Sequence, residues 1–125
     1  MKKNQTTERL LAASRTIWEG YLTHPFVQGI ADGSLDGNKF RFYLLQDYLY
    51  LFDYAKVFAQ GVVKSREPEV MRTFASYVES ILGGEMNVHR GYMKRLGITE
   101  EQAETVKPSL SNLSYTAYMR AVAAE

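Results

Sequence analysis

The chain has 125 residues, 46% of them hydrophobic and 23% charged, enough for one small domain with a buried core. A formal net charge of +1 gives no basis for nucleic acid or an anionic membrane as a partner, and no apolar run approaches the ~18 residues of a membrane span. The absence of cysteine excludes disulfides and thiolate chemistry within these residues, and with two histidines a closed zinc site would have to draw on carboxylates.

The start, MKKNQTTERLL, lacks the apolar core of a signal peptide, so a cytoplasmic location is the expectation. The spacing predicts a first helix over about 7–21. Glu8 suits its positive end, and Leu10, Ser14, Ile17 and Tyr21 share one side with Leu11, Trp18 and Leu22 beside them. His24-Pro25 forces a break, because the residue before proline avoids the α region. Pro25 then opens a short helical segment, PFVQGIAD, with Phe26, Val27 and Ile30 expected inward. Asp32-Gly33-Ser34 and Asp36-Gly37-Asn38 are turn signals.

They lead into a long helix over 38–64. At about 100° per residue, Lys39, Gln46, Asp53 and Gln60 fall on one narrow polar strip. The remaining arc carries Phe40, Tyr43, Leu44, Tyr48, Leu51, Phe52, Tyr54, Ala55, Phe58 and Val62, wide enough to require cover on most sides. Asp47 breaks this arc, with Tyr43, Tyr50 and Tyr54 on one flank. A carboxylate withdrawn from water must be paired or hydrogen-bonded. Two readings stand: a structural network with tyrosine hydroxyls or a distant arginine, or a pocket-lining carboxylate that receives a polar ligand group.

Glu67-Pro68 starts the next helix, with an apolar stripe of Phe74, Tyr77, Val78, Ile81, Val88, Tyr92 and Leu96. Gly83-Gly84 weakens it by about 1 kcal/mol per glycine and marks a kink or a close backbone approach. Glu85 falls in the middle of the stripe, with His89 four residues on. These two could form a buried Glu–His pair, pair Glu85 with an arginine, or stand in a pocket wall beside Asp47. A bundle-type metal site would want Glu-x-x-His at three-residue spacing on two helices, and here the spacing is four and the motif occurs once. Thr99 to Gln102 is a capping box for a short helix ending before Pro108. A last helix begins near Asn112 with Tyr115, Tyr118, Met119 and Val122. It reaches RAVAAE without a closing cap, which predicts a domain truncated after Glu125.

The tyrosines, nine in all, serve as amphipathic core packing or as a wall for a flat heteroaromatic amine. No glycine-rich phosphate loop and no serine elbow is present.

His24-Pro25-Phe26-Val27-Gln28-Gly29-Ile30 followed by Asp32-Gly33-Ser34-Leu35 resembles the HPFVxGIxDGxL segment of the TenA/thiaminase II family. Leu45-Gln46-Asp47, Tyr50-Leu51 and Ala55-Lys56-Val57 resemble its LQD…YL…AKV helix. Glu85-Met86, His89-Arg90, Pro108-Ser109, Ser114-Tyr115-Thr116 and Met119 follow in order and spacing.

The resemblance implies an all-α, haem-oxygenase-like helical bundle, of which residues 1–125 would be the N-terminal part of a single domain. It implies a homotetramer using no metal and no organic cofactor. The reaction implied is hydrolysis of 4-amino-5-aminomethyl-2-methylpyrimidine, and in many members of thiamin, in salvage of the pyrimidine half of the vitamin. Asp47 would grip the pyrimidine's amino group and ring nitrogen, with Tyr50 and Tyr115 lining the pocket. Tyr43, Tyr54, Glu85 and His89 would be pocket wall or structural. The family's nucleophilic cysteine and late glutamate would lie beyond Glu125, and one branch uses carboxylates instead of the cysteine. These 125 residues would then carry no catalytic residue and be inactive alone. The rival expectations are a non-catalytic helical module binding a pyrimidine or a protein, and a metal-binding bundle built on Glu85 and His89.

Overall fold

The computed structural model describes residues 5–125, which form seven α-helices, one π-helical turn and no strand. Two compact units divide them, Met1–Phe40 and Arg41–Glu125.

In the first unit, α1 (Gln5–Thr23) extends two residues beyond its predicted range at each end, and α2 (Pro25–Asp32) matches the proline-led segment. His24 caps α2, its Nδ1 accepting from the Phe26 N–H at 3.1 Å, and Gly33 closes the helix at φ +77°. α1 buries none of its side chains. Trp18 packs edge-on against Tyr21 at 5.0 Å, while Leu10, Ile17 and Leu22 are exposed. Val27 and Ile30, expected inward, are also exposed, and only Phe26 is half-buried. Asp36 leads into α3 (Gly37–Lys64), its Oδ1 accepting from the N–H groups of Asn38 and Lys39 at 2.9 and 3.2 Å.

The second unit is built on α3, whose Leu44, Tyr48, Leu51 and Ala55 recur at helical spacing and form one side of the core. The other side comes from α4 (Pro68–Glu79), a π-turn (Ser80–Glu85) and α5 (Met86–Arg95), followed by α6 (Glu100–Glu104), through Ile81, Met86, Met93, Ile98 and Ala103. Arg41 donates to the Leu96 carbonyl at 3.0 Å, and Phe58 packs on Tyr77 at 5.2 Å, so α4 and α5 run antiparallel to α3. α7 (Leu110–Ala124) runs parallel to it, joined by Asn112 to Gln46 and by Arg120 to Asp53 at 3.3 Å. The capping box forms as expected: Thr99 accepts from the Gln102 N–H at 3.1 Å, and the Gln102 side chain accepts from the Thr99 N–H at 2.9 Å.

The π-turn replaces the expected kink. The Met86 N–H bonds the Ile81 carbonyl five residues back, and Gly83-Gly84 sit inside this wider turn. The extra residue changes the phase of everything after it. Ile81 and Met86, five apart, both face the core, and Met93 follows seven later. Each such burial stabilises by about 1.5–3 kcal/mol. The stripe expected from uninterrupted α-periodicity therefore does not continue: Val88 and Tyr92 are exposed, and so is Glu85.

Candidate functional site

The change of phase that exposes Glu85 turns His89 toward α3. His89 Nε2 lies 2.6 Å from Asp47 Oδ2, with the imidazole 13% and the carboxylate 28% exposed. The pair the structure makes is thus Asp47–His89, and neither the expected Glu85–His89 side-chain pair nor an Asp47 network of tyrosine or arginine is its main partner. Glu85 contributes its backbone carbonyl, which faces His89 Nδ1 at 2.9 Å. A carbonyl only accepts, so Nδ1 carries a proton there. The hydrogen bond to Asp47 raises the His89 pKa above its ordinary 6.5, and the Glu85 carbonyl adds to this. Burial opposes both. Among the described residues no three His, Asp or Glu side chains converge as a metal site would require, and both His89 nitrogens are engaged within the protein.

Beside the carboxylate stands the expected tyrosine wall. Tyr50 is stacked between Tyr54, at 5.2 Å and 24°, and Tyr115, at 5.7 Å and 13°. Such contacts contribute about 0.5–1.5 kcal/mol each beyond the area they bury. Burial pushes the Tyr50 phenol upward, helped by Tyr115, Tyr54 and Asp47. Tyr43, one turn before Asp47, is raised by burial and then by the Asp47 charge, and Tyr54 by burial and then by Glu85. All three phenols therefore stay neutral at ordinary pH and can donate. Tyr115 remains 55% exposed, presenting ring surface to solvent.

The wall continues into an open cleft of about 360 Å³ lined by Tyr54, Phe58, Tyr77, Ile81 and Glu85. A larger groove of about 630 Å³ lies toward the C-terminal ends of α3 and α7, between Lys56, Val57, Gln60, Ala117, Arg120 and Ala121. It holds none of the candidate binding residues, whereas Tyr54 and Glu85 line the smaller cleft.

The expected site residues lie in the second unit: Tyr50 one turn after Asp47 and between Tyr54 and Tyr115, His89 on Asp47, Tyr43 one turn before it, and Glu85 at the cleft edge. Periodicity placed Gln46 on a polar strip and missed its role. Gln46 is 9% exposed and holds the start of α7, donating to the Lys107 carbonyl at 3.1 Å and accepting from the Ser109 N–H at 2.8 Å. The proline of Lys107-Pro108-Ser109 was the available signal, since a backbone loop with fewer donors of its own needs a side chain to tie it down.

Chemically, a part-exposed carboxylate beside stacked rings suits a planar heterocycle that carries an amino group: the ring packs on the tyrosines and the amino N–H donates to the carboxylate. The chain is 47% identical over 117 residues to an aminopyrimidine aminohydrolase of Helicobacter pylori, covering 94% of this chain and 54% of that protein. It is 48% identical over 114 residues to an aminopyrimidine aminohydrolase of Halalkalibacterium halodurans, covering 91% and 51%. It thus spans about half the length of the curated relatives it matches. Among solved structures it is similar to a TenA homologue from P. horikoshii OT3, with a TM-score of 0.88 and 31% identity over 95% of this chain and 55% of that one. A TenA family transcription regulator from Silicibacter sp. TM1040 has a TM-score of 0.89 and 28% identity, over 95% and 53%. The all-α, haem-oxygenase-like architecture implied by the motifs is the architecture of these neighbours. The model of the TENA/THI-4/PQQC family matches residues 11–125. From the HPF segment through the Asp47 helix to the tyrosine of α7, this chain belongs to the TENA/THI-4/PQQC family.

Proposed function

We propose that the intact protein is an aminopyrimidine hydrolase of the thiaminase II type, and that this chain supplies the wall that binds the pyrimidine. The observation that carries the reading is the Asp47 carboxylate, part-exposed and held beside the Tyr54–Tyr50–Tyr115 stack. Asp47 accepts from the exocyclic amino group and, when the neighbouring ring nitrogen carries a proton, from its N–H as well; Tyr50 and Tyr115 line the ring's place, and Tyr43 and Tyr54 complete the wall. The names of the relatives support this substrate class.

In the overall reaction the bond between the exocyclic methylene carbon and its amine nitrogen breaks. A bond to a water oxygen forms, and ammonia leaves with the hydroxymethylpyrimidine as the other product. None of the 125 residues is a cysteine, so a thiol attack of the kind the family resemblance implies falls to residues outside this stretch. The same resemblance supports a homotetramer that works without metal or organic cofactor. Among the described residues no helix is long and apolar enough to cross a membrane.

The test is to incubate the intact protein with 4-amino-5-aminomethyl-2-methylpyrimidine and follow ammonia and the hydroxymethyl product. Release of both, lost in Asp47→Asn, is the expected result. Tight stoichiometric binding without turnover would instead favour a non-catalytic pyrimidine-binding module.

A further inference from the structure

We propose that His89 is the positioning residue of this site: protonated on both ring nitrogens, it keeps the Asp47 carboxylate ionised and fixed in direction toward the bound pyrimidine, and loss of one proton releases it. The ligand half of this statement rests on the aminopyrimidine reading, whereas the His89–Asp47 half stands on the contact alone.

The Glu85 carbonyl takes the proton on Nδ1, which is the only one a neutral imidazole has. Nε2 would then face Asp47 Oδ2 with a lone pair. Two acceptors cannot be held at 2.6 Å, a separation that belongs to a charge-assisted hydrogen bond. A second imidazole proton resolves the contact, and the carboxylate then stays ionised as its acceptor.

The surroundings agree. The groups facing the imidazole are Asp47 from α3 and Glu85 from its own side, both of which favour the cation. The groups facing Asp47 are the neutral phenols of Tyr43 and Tyr50. Arg90, next in sequence, is engaged by Glu100 at 3.0 Å. When the imidazole loses its second proton, the Oδ2 contact becomes repulsive and the carboxylate turns from the direction in which it meets a ligand's amino group. The Glu85 side chain is exposed, so it is the backbone carbonyl of that residue that faces the imidazole.

Two measurements on the intact protein test the proposal. In the first, the ring-nitrogen NMR shifts of 15N-labelled His89 are followed with pH. Protonation of both nitrogens at neutral pH is expected, and a bare Nε2 there overturns the proposal. In the second, binding of an aminopyrimidine lacking the aminomethyl group is measured by calorimetry across the same range. Wild-type affinity should fall at least tenfold as His89 deprotonates. His89→Gln, whose amide N–H can stand in for Nε2–H but does not titrate, should lose that alkaline fall. A His89→Gln profile that tracks wild type overturns the proposal. No wild-type binding at any pH overturns the aminopyrimidine reading and the ligand half with it, and the NMR signature still decides the pair.

Discussion

Asn112 reaches from α7 to α3 and donates twice to Gln46, to its backbone carbonyl at 2.8 Å and to its side-chain Oε1 at 3.1 Å. One turn further along α7, Tyr115 stacks on Tyr50. The amide next to Asp47 in sequence therefore sets where the far tyrosine of the wall stands.

Replacing Gln46 with Leu keeps the volume but strands the Lys107 carbonyl and the Ser109 N–H. Each stranded group costs about 1–3 kcal/mol. Urea denaturation of the intact protein should show that loss, together with weaker pyrimidine binding as Tyr115 loses its anchor. A Gln46→Leu variant with wild-type stability would mean that water replaces the side chain.

Asp47→Asn should weaken binding further than folding. A charged hydrogen bond to a ligand amino group is worth about 1.5–3 kcal/mol, a ten- to hundredfold loss of affinity, whereas the part-exposed side chain keeps its shape and gives up in the fold only its share of the pair with His89. Calorimetry against the aminopyrimidine, beside a melting curve, gives both quantities. Glu85→Gln is the contrast. Its place in the expected stripe argued for a stability cost, but its exposure now predicts a change within about 0.5 kcal/mol.

Stability should depend on pH through His89. Its folded pKa is raised, so the stabilisation from its pair with Asp47 is fully present below the ordinary value of 6.5. It is lost as pH climbs through the raised folded value. The difference in unfolding free energy between wild type and His89→Gln should thus be largest just below the ordinary value of 6.5 and shrink as pH rises above it. A difference that grows with pH would contradict the sign.

Gly61→Ala tests a close approach between α3 and α4. A Cβ there would meet the Phe74 ring at 2.4 Å, and moving that ring disturbs its packing on Phe58 at 6.2 Å. Alanine gains about 1 kcal/mol of helix propensity, but overpacking costs about 1–3 kcal/mol, so the melting temperature should fall. Adding Phe74→Leu should recover most of the loss.

Much of this was legible beforehand. The helix over 38–64, the proline-led α2, the capping box at Thr99 and the gathering of Asp47 with Tyr50, Tyr54 and Tyr115 all follow from local spacing and from motifs. What escaped is long-range or depends on a break in period. Gln46 looks like any solvated glutamine until the Lys107–Ser109 loop is laid over it. Glu85 looked buried because a 3.6-residue period was carried through Ser80–Glu85, where the chain takes a π-turn instead. Two cues were present: the adjacent glycines, and a pair of methionines, Met86 and Met93, in step with each other but out of step with Ile81.

That turn places part of the site in the number of residues rather than in their kinds. Alanine scanning preserves the count, so it would walk across Ser80–Glu85 and report a tolerant, glycine-softened stretch. Removing one residue there would close the wide turn into ordinary helix, with Ile81 and Met86 four positions apart and both still on the core face. A relative one residue shorter here should therefore keep its imidazole on its aspartate, whereas a deletion inside α5, where no wide turn absorbs it, would carry His89 about 100° around the helix and off Asp47 with every side chain of the pair intact.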